Sequence, residues 1–140
     1  INIHNNIFVL KKMRAELEKY KRIIETDTDV LPELAIEMNY VYLANCSEMK
    51  LQEFKNNMNK LLKVIEEIES AFGSITITSA FRSVAWELKQ NRSGRSYHCH
   101  GLAFDFYHPN LKEINKYIVN NIQTKELIYY KDRNFIHVAI

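Results

Sequence analysis

The sequence predicts an α+β fold, a helical N-terminal half packed on a small antiparallel sheet. Two observations carry this expectation. Up to Gly73 the apolar residues recur at three- and four-residue steps, the spacing of one helix face. Beyond it the texture changes to short period-two alternations rich in β-branched and aromatic residues, the pattern of half-buried strands. A third observation concerns organisation: with only 3 Gly and 2 Pro in 140 residues there is no linker or low-complexity stretch, so the chain reads as one compact unit.

The elements follow in order. Leu10, Met13, Leu17, Tyr20 and Ile24, with Lys, Arg and Glu between them, predict an amphipathic helix of roughly four to five turns. Thr26-Asp27-Thr28-Asp29 interrupts it. Leu31, Leu34, Ala35, Met38, Val41 and Tyr42 fit a second helix, although Tyr40-Val41-Tyr42-Leu43 reads equally as extended chain. Ser47 is a candidate N-cap for a third helix with Leu51, Phe54, Met58, Leu61, Leu62, Ile65 and Ile68 on its apolar face, ended by Gly73. Residues 74–78 predict a first strand. Residues 101–107 predict a second, with Leu102, Phe104 and Phe106 on one face and Ala103, Asp105 and Tyr107 on the other. Pro109 suits the first turn of a helix carrying Leu111, Ile114, Tyr117, Ile118 and Ile122. Two strands, residues 126–130 and 134–140, close the chain around a turn at Lys131-Asp132-Arg133.

Composition narrows the function classes. A formal charge of +2, with lysines dispersed among glutamates, gives no basic stripe for nucleic acid. No stretch approaches a membrane span, and the N-terminus lacks a signal-peptide pattern. The two cysteines, Cys46 and Cys99, make no disulfide framework and no Cys-x-x-Cys pair.

The chemistry concentrates in Ser96-Tyr97-His98-Cys99-His100-Gly101-Leu102-Ala103-Phe104-Asp105 and in Phe135-Ile136-His137-Val138. Two imidazoles and a carboxylate, from His98, Asp105 and His137, suit a zinc ion with one coordination position left for water. That requires the strands bearing Asp105 and His137 to lie side by side with both residues facing the same way. The alternative is a pair of loop histidines, a surface aspartate and a half-buried strand histidine. Cys99 is read as packing, and His100 as a solvated loop residue. His4 and His108 receive no role, and Trp86, Tyr129 and Tyr130 are read as core or pocket wall.

The pattern Ser-x-His-x-x-Gly-x-Ala-x-Asp, here Ser96, His98, Gly101, Ala103 and Asp105, resembles the signature of the M15 zinc peptidases. These are the D-alanyl-D-alanine carboxypeptidases and L-alanyl-D-glutamate endopeptidases of bacterial cell walls and phage lysis. Residues 75–83, ending Ala80-Phe81-Arg82-Ser83, are similar to that family's strand ending in Ser-Gly-Tyr-Arg-Ser, and Phe135-Ile136-His137-Val138-Ala139 is similar to its closing Trp-Val-His-Val-Ser. The resemblance covers about residues 48–140 and divides the chain into an N-terminal helical extension, 1–47, and a peptidase domain, 48–140. It implies a hedgehog/DD-peptidase-like fold and one zinc per chain on His98, Asp105 and His137. It further implies a water on that zinc as nucleophile, peptidoglycan peptides as substrate, and a site of action in the cell wall or periplasm. Arg82 would bind or polarise the substrate, and Ser96 would line the pocket and bond to substrate or to a ligand.

The sequence departs from the family where a glutamate usually precedes the last histidine. Tyr130 occupies the expected slot, and Asp132 is the nearest carboxylate before His137, so Asp132 becomes the candidate general base, with Glu126 behind it. The departure leaves a second reading: a catalytically degenerate zinc module, structural or wall-binding, carried into a phage or virion assembly by its N-terminal helices.

Overall fold

The computed structural model describes residues 18–25 and 51–140. Within them, a 3-10 helix, Glu18–Ile23, leads into a two-residue strand β1, Ile24–Glu25. A long helix α1, Leu51–Phe72, is followed by strands β2, Thr76–Ser79, and β3, Phe81–Arg82, and a short helix α2, Val84–Lys89. A 3-10 turn, Tyr97–His100, then precedes strand β4, Ala103–Tyr107. Helix α3, Leu111–Asn121, and the hairpin of β5, Glu126–Tyr130, and β6, Phe135–Ala139, complete the chain. The fold is mixed helix and antiparallel sheet, α+β as the sequence predicts.

The main sheet has the order β2-β4-β6-β5, every neighbour antiparallel. Its inner face is apolar because alternate residues of the two central strands point the same way: Phe104, Phe106, Ile136 and Val138 are all fully buried. Onto this face pack Met58, Leu61, Ile65 and Ile68 of α1 and Leu111, Ile114 and Ile118 of α3, each at helical spacing. Phe104 and Phe106 stack at 5.5 Å between ring centroids. Gly73 ends α1 at a φ of +84°, a left-handed backbone that glycine adopts without penalty.

Several boundaries differ from the sequence expectation. The amphipathic pattern through Tyr20 and Ile24 predicts α-helix, yet its described part is a 3-10 helix ending at Ile23, and Ile24 pairs in parallel with Phe81 in a two-stranded sheet. Tyr20 and Ile23, three apart, eclipse one another in that tighter helix, and both are fully buried in the core shared with α1. Pro109 lies one residue before the Asn110 cap of α3 and so outside its first turn. His108, given no role by sequence, joins two elements: its Nε2–H donates to the Phe72 carbonyl at 3.0 Å and its Nδ1 accepts from the Asn110 amide at 2.9 Å. The expected helix through residues 31–42, the Ser47 cap, His4 and Cys46 lie outside the described residues.

Candidate metal centre and cleft

The register of the sheet brings the polar residues together. Asp105 of β4 sits directly opposite His137 of β6, so their side chains leave the same face as close cross-strand neighbours. The pair exchanges a short hydrogen bond, His137 Nδ1 to Asp105 Oδ1 at 2.7 Å. His98 arrives from the 3-10 turn before β4, with its Nε2 at 3.5 Å from the same oxygen. Ligand-competent atoms of His98, Asp105 and His137 all lie within 4.8 Å of one another, and the two imidazole rings are 5.3 Å apart.

The turn that delivers His98 is built by its neighbours. Cys99 N–H bonds the Ser96 carbonyl and Leu102 N–H the Tyr97 carbonyl, and the chain then reverses at Gly101 with a φ of +68°. Residues 97–100 are therefore a turn, not the extended segment in which His98 and His100 share a side. His98 is buried, His100 is half-buried with a pKa lowered by desolvation, and the His100 carbonyl accepts from Asn57. Cys99 is fully buried, and burial, reinforced by the nearby Glu87 charge, pushes its thiol up to about 12. A neutral thiol in that setting is packing material.

The second nitrogen of each histidine is also engaged. Because a carbonyl only accepts, His98 Nδ1 must donate to Ala80 O at 2.7 Å, which turns Nε2 towards the cluster. His137 Nε2 meets Glu126 Oε1 at 3.0 Å. Glu126 pairs with Ala139 across the hairpin, and so projects on the same face as His137 one step along the diagonal. The hydrogen bond to Asp105 raises the pKa of His137 against the opposing effect of burial, and Glu126 adds to the rise. Burial opposes ionisation of Asp105, but bonds from the two histidines outweigh it and hold its carboxyl at about 2. Two imidazoles aimed at one ionised carboxylate, each braced from behind by an oxygen acceptor, is a donor set that fits zinc.

Beside Asp105 opens a cleft of about 410 Å³ lined by Thr78, Ser79, Arg82, Arg92, Asp105, Arg133, Asn134 and Phe135. Arg82 is nearly buried and faces Glu87, Nη2 to Oε2 at 3.2 Å. Glu87 was not legible as a site residue, yet it is only 1% exposed and anchors this wall. Ser96 Oγ donates to its Oε2 at 2.5 Å. Burial alone would raise the pKa of Glu87; bonds from Ser96 and Cys99 and the charges of Arg82 and His98 prevail and lower it. The one sequence signal is its position three residues after Val84 on a short helix, the same face as that buried valine. Arg82 Nε and Glu87 Oε1 are buried without a hydrogen-bond partner among the described residues.

Two of the expected site residues are placed differently. Ser96 is not among the cleft-lining residues, and its hydroxyl is turned to Glu87, because a buried carboxylate is a stronger acceptor than anything else within its reach. Asp132 is exposed on the 3-10 turn Lys131–Arg133 and lies outside both the cleft lining and the three-residue cluster. A three-residue connection held by Asn134 at a φ of +58° keeps it at the hairpin tip.

A His-Asp-His cluster whose aspartate lines an arginine-rich cleft is the donor set of a metal centre with a coordination position to spare. The family model for Peptidase M15 matches residues 36–139, and the chain belongs to that family of zinc-dependent metallopeptidases. No curated protein and no solved structure matches it. No helix among the described residues is long and apolar enough to cross a membrane.

Proposed function

We propose that the chain is a zinc peptidase that cuts peptidoglycan stem peptides or cross-links, at a D-Ala-D-Ala or an L-Ala-D-Glu bond, on a hedgehog/DD-peptidase-like scaffold. The observation that carries this reading is the meeting of His98, Asp105 and His137 within 4.8 Å at the cleft of a Peptidase M15 chain. Zinc, when bound there, supplies a Lewis acid that lowers the pKa of water towards neutrality and offsets negative charge on the carbonyl under attack. His98, Asp105 and His137 are its proposed ligands, one ion per chain. Ala80 and Glu126 fix the orientation of the two rings.

Arg82 offers a guanidinium whose buried Nε still lacks an acceptor, and a substrate carboxylate or carbonyl would satisfy it. Glu87 and Ser96 hold that guanidinium in place from behind. Proton transfer to the leaving amine is assigned to Asp132. Glu126 is less suited, because it bonds the ring nitrogen of His137 that points away from Asp105. Mass spectrometry of purified peptidoglycan after incubation with the zinc-supplemented protein tests the reading. New termini at one of the two bonds are expected, and an unchanged digest removes it.

The exposure of Asp132, outside the cleft lining, favours one second reading: a domain that keeps zinc and peptide binding without turnover. Close to one zinc per chain together with an unchanged digest is its signature.

A further inference from the structure

The charge of the cleft exceeds what a single substrate carboxylate needs. Three arginines and one aspartate line it, and Asp105 already belongs to the metal cluster. Arg82 has its own counter-charge in Glu87. Among the described residues, no carboxylate lies within ion-pair distance of Arg92 or Arg133. Each instead lies over an aromatic ring. The Arg92 guanidinium lies 5.4 Å from the centre of the Trp86 ring that Arg82 also approaches, at 5.6 Å, and that of Arg133 lies 5.5 Å from Phe135. Ring contact favours a guanidinium position without using its N–H donors, which stay available for a planar oxyanion.

Their positions in the fold differ. Arg92 follows α2, whereas Arg133 stands at the tip of the β5–β6 hairpin, and both reach the one cleft beside Asp105. Like charges gathered around one cavity repel unless an anion lies between them.

We propose that Arg92 and Arg133 form an anion subsite that receives a second substrate carboxylate, so that the cleft selects peptides carrying at least two carboxylates. This rests on the peptidase reading for the bond that is cut, but the recognition itself is independent of turnover. Substrates in which the second carboxylate is masked as a carboxamide keep their shape and lose the ionic contact. A subsite of this kind makes the protein a reader of amidation in the wall peptide.

The test is calorimetric binding to the full chain supplemented with zinc, using the synthetic pentapeptide L-Ala-γ-D-Glu-L-Lys-D-Ala-D-Ala, which holds both candidate bonds, with its glutamyl α-carboxylate either free or amidated. The free acid is expected to bind at least about tenfold more tightly than the amide, the size of a charge-assisted contact in a partly exposed site. Arg92→Gln and Arg133→Gln each reduce that ratio, and the double variant brings it close to one with zinc content unchanged. Equal or absent binding of the two peptides by the wild-type chain overturns the proposal, as does a ratio that survives in the double variant. A charge-dependent ratio without cleavage of either peptide leaves the subsite standing and removes the peptidase reading alone.

Discussion

The two faces of strand β4 are one residue apart in sequence and opposite in chemistry. Phe104 and Phe106 are fully buried against α1 and α3, while Asp105 between them is half-buried and shares its oxygen with two histidines. The same contrast continues on β6, where Ile136 and Val138 are sealed in the core and His137 stands on the other side. The alternation that lets the sheet bury one face therefore also brings Asp105 and His137, two of the three proposed metal ligands, together on the other. A one-residue slip of register would exchange the two sets and destroy core and site together. The comparison separates two kinds of substitution: those on the outer face act on metal and chemistry, and those on the inner face act on stability.

The largest effect is expected from Asp105→Ala. It removes the oxygen on which both imidazoles converge, so stoichiometric zinc is lost and wall-peptide cleavage falls by at least about a thousandfold. Zinc content by metal analysis, beside a digest by mass spectrometry, checks both. Retained zinc in this variant would remove Asp105 from the ligand set. Phe104→Ala, the neighbour facing inwards, is expected to lower stability by about 3–5 kcal/mol through the cavity it leaves. Urea unfolding of the metal-free protein measures this. If the variant folds, its zinc stoichiometry stays near that of the wild type, and a variant that is stable yet zinc-free would mean that the faces are not independent.

Glu87→Gln probes the support behind Arg82 at the cleft wall. The pair with Arg82 is nearly dry, with side-chain exposures of 11% and 1%, so removing its charge leaves Arg82 without a counter-ion. The expected result is a KM for the peptide raised by about tenfold with little change in kcat, since Arg82 is less well held before substrate binds. Zinc content does not change. A fall in kcat at constant KM would instead place Glu87 in the chemistry.

The legibility of the molecule in its sequence follows the range of the interactions. The strands were readable because Phe104-Asp105-Phe106 and Ile136-His137-Val138 alternate with period two, and the same alternation told which residues share a face. The convergence of His98 on the pair is suggested by its donor type and by the family motif; Gly101 permits the turn that delivers it, but nothing local requires it. The resemblance puts Ser96 at the pocket, whereas its partner is Glu87, nine residues away on another element, and a carboxylate on a short helix ordinarily faces water. The 3-10 geometry at Tyr20 escaped for a related reason: a spacing of three suits both helix types, and the choice depends on packing against α1, including the bond from Tyr20 OH to Asn59 at 2.6 Å. Long-range polar contacts leave little trace in a single sequence.

The smallest predicted effect lies at an anchor that shares no residue with the cleft or the metal cluster. Arg22 meets Glu69 through two parallel bonds, 2.7 and 2.8 Å, and also donates to the Ile75 carbonyl, while the Ile75 amide donates back to Glu69. The bidentate pair ties residues 18–25 to the end of α1, and the hydrogen bond from Arg22, against partial desolvation, lowers the carboxyl pKa of Glu69 below its ordinary 4.5. Because the folded value is the lower one, the contribution to stability is complete above about 4.5 and disappears as the pH falls through the folded value. Arg22 is 45% exposed, so solvent screening holds the pair to about 1 kcal/mol or less. Glu69→Gln should therefore be less stable than the wild type by about that amount at neutral pH, and the gap should close under acid. Parallel urea titrations of the two metal-free proteins from pH 7 to about pH 3 follow the gap across the carboxylate range. A gap that stays constant would show that Glu69 acts through shape and not through charge, whereas zinc content and cleavage should be the same in both proteins throughout the range where they are folded.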